Sequence, residues 1–198
     1  MAAAPALTKL RRAGPGRVAL EVDGRPWRTV SDEVVVRAGL AAGIELDRPT
    51  LRRVRAELAR ARAGAVAGRA LARRDLTVQE LAVRLERAGV SAELAGETTA
   101  AAVSTGVVDD ARFARSRAEQ LAERGQGNAL IAARLEAAGV ADDVVRTTVE
   151  ALEPERERAL RVAEGAPNPR KAVQLLARRG FDPDTIEEVA GFAPNDDE

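Results

Sequence analysis

The chain has 198 residues, 45% of them hydrophobic, with 31 basic and 31 acidic side chains and a formal net charge of zero. It contains no cysteine and no histidine, which excludes disulfides, thiolate or imidazole metal sites, and nucleophile–base pairs of the Cys-His or Ser-His-Asp kind. Aromatic residues reach only 2%, and a composition led by Ala, Leu, Val, Arg and Glu favours helices packed through small aliphatic contacts, so the expected class is mainly α.

The start, "MAAAPALTKLRRAGPG", has no basic flank followed by a long apolar stretch, and no apolar run approaches bilayer length. A cytoplasmic protein with no membrane contact is expected, with residues 1–16 as a flexible tail. Residues 17–64 form a small N-terminal unit. In "RVALEVDGRPWRTV", Val18, Leu20 and Val22 alternate on one face, Asp23-Gly24 supplies a tight turn, and the pattern resumes at Trp27 and Val30. This is a β-hairpin, with Pro26 marking an edge. A short helix capped by Ser31 and stopped at Gly39 or Gly43 follows, then a helix from Asp47 with Leu51, Val54 and Leu58 on one stripe.

Beyond residue 65 the sequence repeats itself. "RLERAGVSAEL", "RLEAAGVADDV" and "LLARRGFDPDTI" align on Gly89, Gly139 and Gly180, with Leu85, Leu135 and Leu176 four residues earlier and Val90, Val140 and Phe181 immediately after. Each glycine is placed to end a helix in the left-handed conformation, with the next apolar residue folding back on the last turn. Ser91, Asp142 and Asp182-Pro183 are expected to start the following helices, and Thr77 with Glu80 has the spacing of a capping box. The stretches "AVAGRALARR", "DDARFARSRAEQLAERG" and "PERERALRVAEG" supply one more helix per unit. The expected fold is an elongated, curved array of three tandem three-helix repeats, at 65–106, 107–152 and 153–192, ending in an acidic tail at 193–198.

No motif announces catalysis. "GPGR" lacks the lysine and hydroxyl of a phosphate loop, and "GQGNAL" joins two helices without a preceding strand, so both are loops. Asp109-Asp110 and Asp142-Asp143 read as helix-start acids rather than metal ligands. Neither an enzyme nor a cofactor is expected. Residues 1–65 hold 13 basic and 7 acidic side chains, residues 153–198 hold 7 and 11, a polarity that could orient the chain on a charged partner or simply solvate it. Arg48, Arg52 and Arg55 flank one side of the Asp47 helix as a candidate phosphate-tracking stripe, against the plainer alternative of a solvated helix. Phe113, Phe181, Phe192 and Trp27 are too few to build stacking platforms for single-stranded nucleic acid.

Three runs, "RALARRDLTVQELAVRLERAGV", "GVVDDARFARSRAEQLAERGQGNALIAARLEAAGV" and "KAVQLLARRGFDPDTI", resemble the RecX family of bacterial recombination regulators. The more specific elements are Arg74, Thr77, Glu80 and Leu81; Asp110, Phe113 and Ala114; and Arg179 to Phe181. The resemblance implies a modulator of DNA repair and recombination that binds the RecA filament and lowers its ATPase and strand-exchange activities, with no chemistry of its own and with direct DNA contact weak if present. A monomer is expected. The candidate partner contacts are exposed arginines of the repeats: Arg73, Arg74, Arg112, Arg115, Arg124, Arg178 and Arg179. The alternative function is a helical nucleic-acid-binding protein that contacts phosphates through its basic N-terminal unit. After "GQG", where family members often carry basic residues, this chain has Asn128, Ala129 and Leu130.

Overall fold

The computed structural model describes residues 4–192, so the acidic tail expected at 193–198 lies outside the described residues. Three strands open the chain: β1 (Leu7–Gly14), β2 (Arg17–Val22) and β3 (Arg25–Ser31). Ten helices follow among the described residues: α1 (Asp32–Arg37), α2 (Arg48–Leu71), α3 (Val78–Arg87), α4 (Ala92–Ser104), α5 (Asp110–Glu123), α6 (Asn128–Ala137), α7 (Asp142–Glu150), α8 (Glu155–Glu164), α9 (Pro169–Arg178) and α10 (Pro183–Phe192). None of them is long and apolar enough to cross a membrane. The chain divides into two compact units, one running through Arg73 and taking in Arg84–Thr98, the other made of Arg74–Val83 and the chain from Thr99 onward.

In the first unit the sheet is antiparallel in the order β1-β2-β3. The expected turn is present, with Asp23 at φ 48° and Gly24 at φ 75° joining β2 to β3. The expected flexible tail is not: β1 occupies most of it, pairing Leu10 with Leu20 and Arg12 with Val18. The segment is also tied at its start, where Leu46 donates to the Pro5 carbonyl (2.7 Å) and Leu7 to the Ile44 carbonyl (2.8 Å). Leu7, Leu20, Val30, Val34, Ala38, Leu40 and Val54 form one buried cluster, so the sheet, α1 and the front of α2 share a core. Trp27 packs against that cluster, with the Arg28 guanidinium 4.8 Å from its ring centroid.

A second correction concerns α2, which runs unbroken through the 64/65 boundary where the sequence suggested a new repeat and a separate helix. Asp47 caps it by accepting from the Thr50 amide at 2.8 Å. Neither Ala65 nor Val66 offers a side-chain acceptor that would favour a new helix start after Gly64. Ala63, Ala67 and Ala70 are instead buried at one-turn spacing along a continuous face.

All three helix-ending glycines take the expected left-handed conformation, with φ of 79°, 82° and 75° at Gly89, Gly139 and Gly180. The bonds form the full six-to-one and five-to-two pattern. Val90, Val140 and Phe181 donate to Leu85, Leu135 and Leu176 (3.1, 3.1 and 3.2 Å), and the glycines to Glu86, Glu136 and Ala177 (2.8, 2.8 and 3.1 Å). The three leucines and the three residues after the glycines are all buried. One start differs from expectation: α7 has Ala141 at its cap position with no side-chain bond, and Asp142 is its first helical residue. Asp142 thus favours the helix dipole from the first turn instead of capping an amide.

Candidate functional site: arginine-lined grooves of the second unit

Within the second unit, successive repeats interlock through the same contacts. The Val78 amide at the start of α3 donates to the Asp110 carboxylate (2.9 Å), and the Asn128 amide at the start of α6 donates to the Glu155 carboxylate (2.5 Å). Asp110 and Glu155 open α5 and α8, so each first helix caps the second helix of the repeat before it. The carbonyl preceding each joint glycine is also taken. Ala138 accepts from the Thr77 hydroxyl at 2.6 Å, and Arg179 from the Gly127 amide at 2.8 Å. In the first unit, Arg62 does the same for Ala88 at 2.8 Å.

This interlocking opens two grooves at equivalent positions. The first, about 850 Å³, is lined by Arg74, Asp75, Glu80, Phe113, Ser116, Arg117, Gln120, Arg134, Ala137 and Ala138. The second, about 490 Å³, is lined by residues of α5, α8 and α9 and the Arg124-Gly125 turn, including Arg124, Arg158, Arg161, Leu175 and Arg179. Aligning Asp110 with Glu155 and Gly139 with Gly180 places Phe113 on Arg158, Arg117 on Val162, Arg134 on Leu175 and Ala138 on Arg179.

The two grooves differ in what their guanidiniums are doing. In the second, Arg158 is buried and donates to the Gln126 carbonyl (2.6 Å), the Asn128 amide oxygen (2.5 Å) and the Glu153 carbonyl (3.3 Å). Burial lowers its pKa, although nearby Glu155 and Glu153 oppose the shift. Arg161 clamps Glu153 with both terminal nitrogens (2.7 and 2.5 Å), and its hydrogen bond holds that carboxyl below the usual glutamate range. Arg179 bridges to the Arg124 and Gly125 carbonyls at 3.5 and 3.4 Å. In the first groove only Arg74 is engaged, through a two-point contact with Glu80 (2.7 and 3.0 Å) that raises its pKa. Half-buried Arg117 and exposed Arg134 have no hydrogen-bond or ion-pair partner among the described residues.

The arginines singled out from the sequence do not converge on one place. Arg74 lines the first groove and Arg124 and Arg179 the second. Arg115 lines a third, about 420 Å³, between α5 and α7. Arg112 donates to the Gly106 and Val107 carbonyls (3.2 and 3.1 Å), sealing the end of α4. Arg73 and Arg178 are exposed, as are Arg48, Arg52 and Arg55 along α2. No arginine of α5 pairs with Glu119 or Glu123 among the described residues. Sequence reasoning did not single out Arg134, Arg158 or Arg161; Arg117 it placed on one flank of its helix with Arg124, able to bind acidic groups or to pair with Glu119 and Glu123, without counting it among the partner contacts. The usable signal for Arg158 was its spacing four residues before Val162, on the inward side of α8. Asn128, noted for breaking a basic pattern, is one of the three acceptors around the Arg158 guanidinium. Among the described residues no three carboxylates gather as a metal site.

Comparison with known proteins gives this arrangement relatives. A family model described as the second three-helix domain of RecX matches residues 109–149, the stretch of α5 to α7. The regulatory protein RecX of Halorhodospira halophila is 37% identical over 142 residues, covering 66% of this chain and 87% of that protein. Its counterpart in Stenotrophomonas maltophilia strain R551-3 is 33% identical over 136 residues, covering 64% and 83%. A crystal structure of a regulatory protein RecX superposes with a TM-score of 0.79 over 94% of this chain and 99% of that one. A second, of RecX from Lactobacillus salivarius, gives 0.63 over 67% and 95%. At 19% and 17% identity, these two similarities speak to the fold alone.

Proposed function

The chain belongs to the RecX family of regulatory proteins, and from that premise we propose that it binds the RecA–DNA filament and lowers its ATPase and strand-exchange activities by hindering filament growth. The relation to the regulatory RecX proteins carries this reading. Its surface chemistry agrees: the first groove of the second unit presents the unpaired guanidiniums of Arg117 and Arg134, suited to an acidic partner, and no constellation of nucleophile, base and oxyanion donor lines it. The test is the DNA-dependent ATPase rate of RecA on single-stranded DNA, titrated with this protein before and after filament assembly. Inhibition at substoichiometric ratios is expected. Inhibition only near saturation of the DNA would instead indicate competition for nucleic acid, and no effect from the folded protein at any ratio removes the proposal.

A second reading, direct phosphate binding through the N-terminal unit, is favoured by one observation. Lys9, Arg11, Arg12, Arg17, Arg25 and Arg28 are all exposed on the three-stranded sheet, with Arg48, Arg52 and Arg55 exposed on α2 of the same unit. Such a surface would bind DNA without RecA and lose affinity steeply with salt.

A further inference from the structure

The repeat relation between the two grooves is a built-in comparison. Where the first has Arg117 and Arg134, the second has Val162 and Leu175, and both apolar residues are half-buried at their sites. The same joint, the same carboxylate cap and the same helix pair therefore assemble without a guanidinium at either position. In the second groove Arg158, Arg161 and Arg179 are held by carbonyls, Asn128 and Glu153, leaving only exposed Arg124 without a side-chain partner among the described residues, whereas Arg117 and Arg134 both face the first groove without one. Folding does not call for them.

We propose that the groove lined by Phe113, Arg117 and Arg134 is the docking site for an acidic peptide segment of the partner filament, one carboxylate meeting the two guanidiniums while a neighbouring apolar side chain covers Phe113. This deepens the functional reading above and rests on it. The lining selects the ligand class. Two arginines match a carboxylate by paired, charge-assisted hydrogen bonds. Phe113, Ala137 and Ala138 give an apolar wall that a phosphate backbone would leave uncovered. Glu80 and Asp75, on the same lining, repel a continuous polyanion while leaving room for a single acid placed beside the arginines.

The experiment is filament binding by co-sedimentation with RecA assembled on single-stranded DNA, comparing the unaltered protein, the double variant Arg117→Glu/Arg134→Glu, and Arg146→Glu. Arg146 is an exposed α7 residue outside all three grooves, paired with Glu150 at 3.5 Å. Its replacement controls for added negative charge. The double variant is expected to bind on the order of tenfold or more weakly, and the control within about twofold. Equal affinity for the double variant overturns the proposal, and so does a control that loses as much. Should the double variant lose its helical circular dichroism, Arg117→Gln/Arg134→Gln takes its place under the same criteria. Bare single-stranded DNA forms a parallel arm: if the double variant loses the same factor there, the occupant is a phosphate backbone and the acidic-peptide assignment fails. Absence of binding by the unaltered protein removes the functional reading itself, and the groove's assignment with it, an outcome distinct from loss by the variant alone.

Discussion

Gly89 and Gly180 share a conformation and a helix-ending role but not an environment. A methyl group built on Gly89 would meet only the tip of Arg62, at 3.8 Å, whereas on Gly180 it would stand 2.5 Å from the Leu130 Cβ and 2.7 Å from the Leu130 backbone nitrogen. Substitution with alanine at Gly89 therefore carries only the left-handed backbone cost, about 1–2 kcal/mol. At Gly180 the helix start of α6 must move as well, which adds roughly 1–3 kcal/mol of overpacking. Urea unfolding of Gly89→Ala and Gly180→Ala should rank them in that order, and equal losses would mean that the close approach carries no energy. The conformation was legible in the sequence because a glycine followed by an apolar residue is local chemistry. The close approach was not, because it depends on Leu130, fifty residues away.

Helix starts show the same division between local and distant causes. Thr77 was readable as a cap, and its hydroxyl does accept from the Glu80 amide at 3.1 Å. The reciprocal half of the capping box is absent, since the Glu80 carboxylate is held by Arg74, and the hydroxyl proton goes instead to Ala138 in the next repeat. Fully buried Thr77 thus serves one helix and one repeat junction at once. Replacing it with valine keeps the shape and removes both bonds, so Thr77→Val should cost about 1–3 kcal/mol. Hydrogen exchange should show faster opening at the Glu80 amide, and at Gly139 if the junction is loosened too; protection unchanged at both would show that the hydroxyl is dispensable. Strand β1 escaped sequence reading for a related reason. A register shift between Leu7 and Lys9 breaks the two-residue alternation, leaving a pattern of scattered leucines and cations that resembles no strand until the rest of the sheet is present. Helix α2 misled in the opposite way: the sequence suggested a helix end at Gly64, which the buried alanine face overrides.

For the whole molecule, equal numbers of basic and acidic residues mask an uneven distribution, with cations prevailing in residues 1–65 and acids in 153–198. The two functional readings draw on different parts of it and so predict different responses to salt. If the sheet cations Lys9, Arg11, Arg12, Arg17, Arg25 and Arg28 each displaced a counterion from single-stranded DNA, affinity would fall with a logarithmic slope of about −4. Contact through the Arg117 and Arg134 groove involves two charges beside an apolar wall and a protein carboxylate that carries no condensed counterions, so filament binding should fall with a slope no steeper than about −1.4, the limit that two charges set by the same counting. Measured between about 50 and 200 mM salt, filament affinity should therefore drop by roughly tenfold or less, while binding to bare DNA should decay far faster. Matching steep slopes for filament and bare DNA would transfer the contact to the N-terminal sheet and make RecA incidental to it. A shallow filament slope with weak DNA binding ties recognition to protein acids, which is what a regulator needs if it is to act on filaments amid an excess of free nucleic acid.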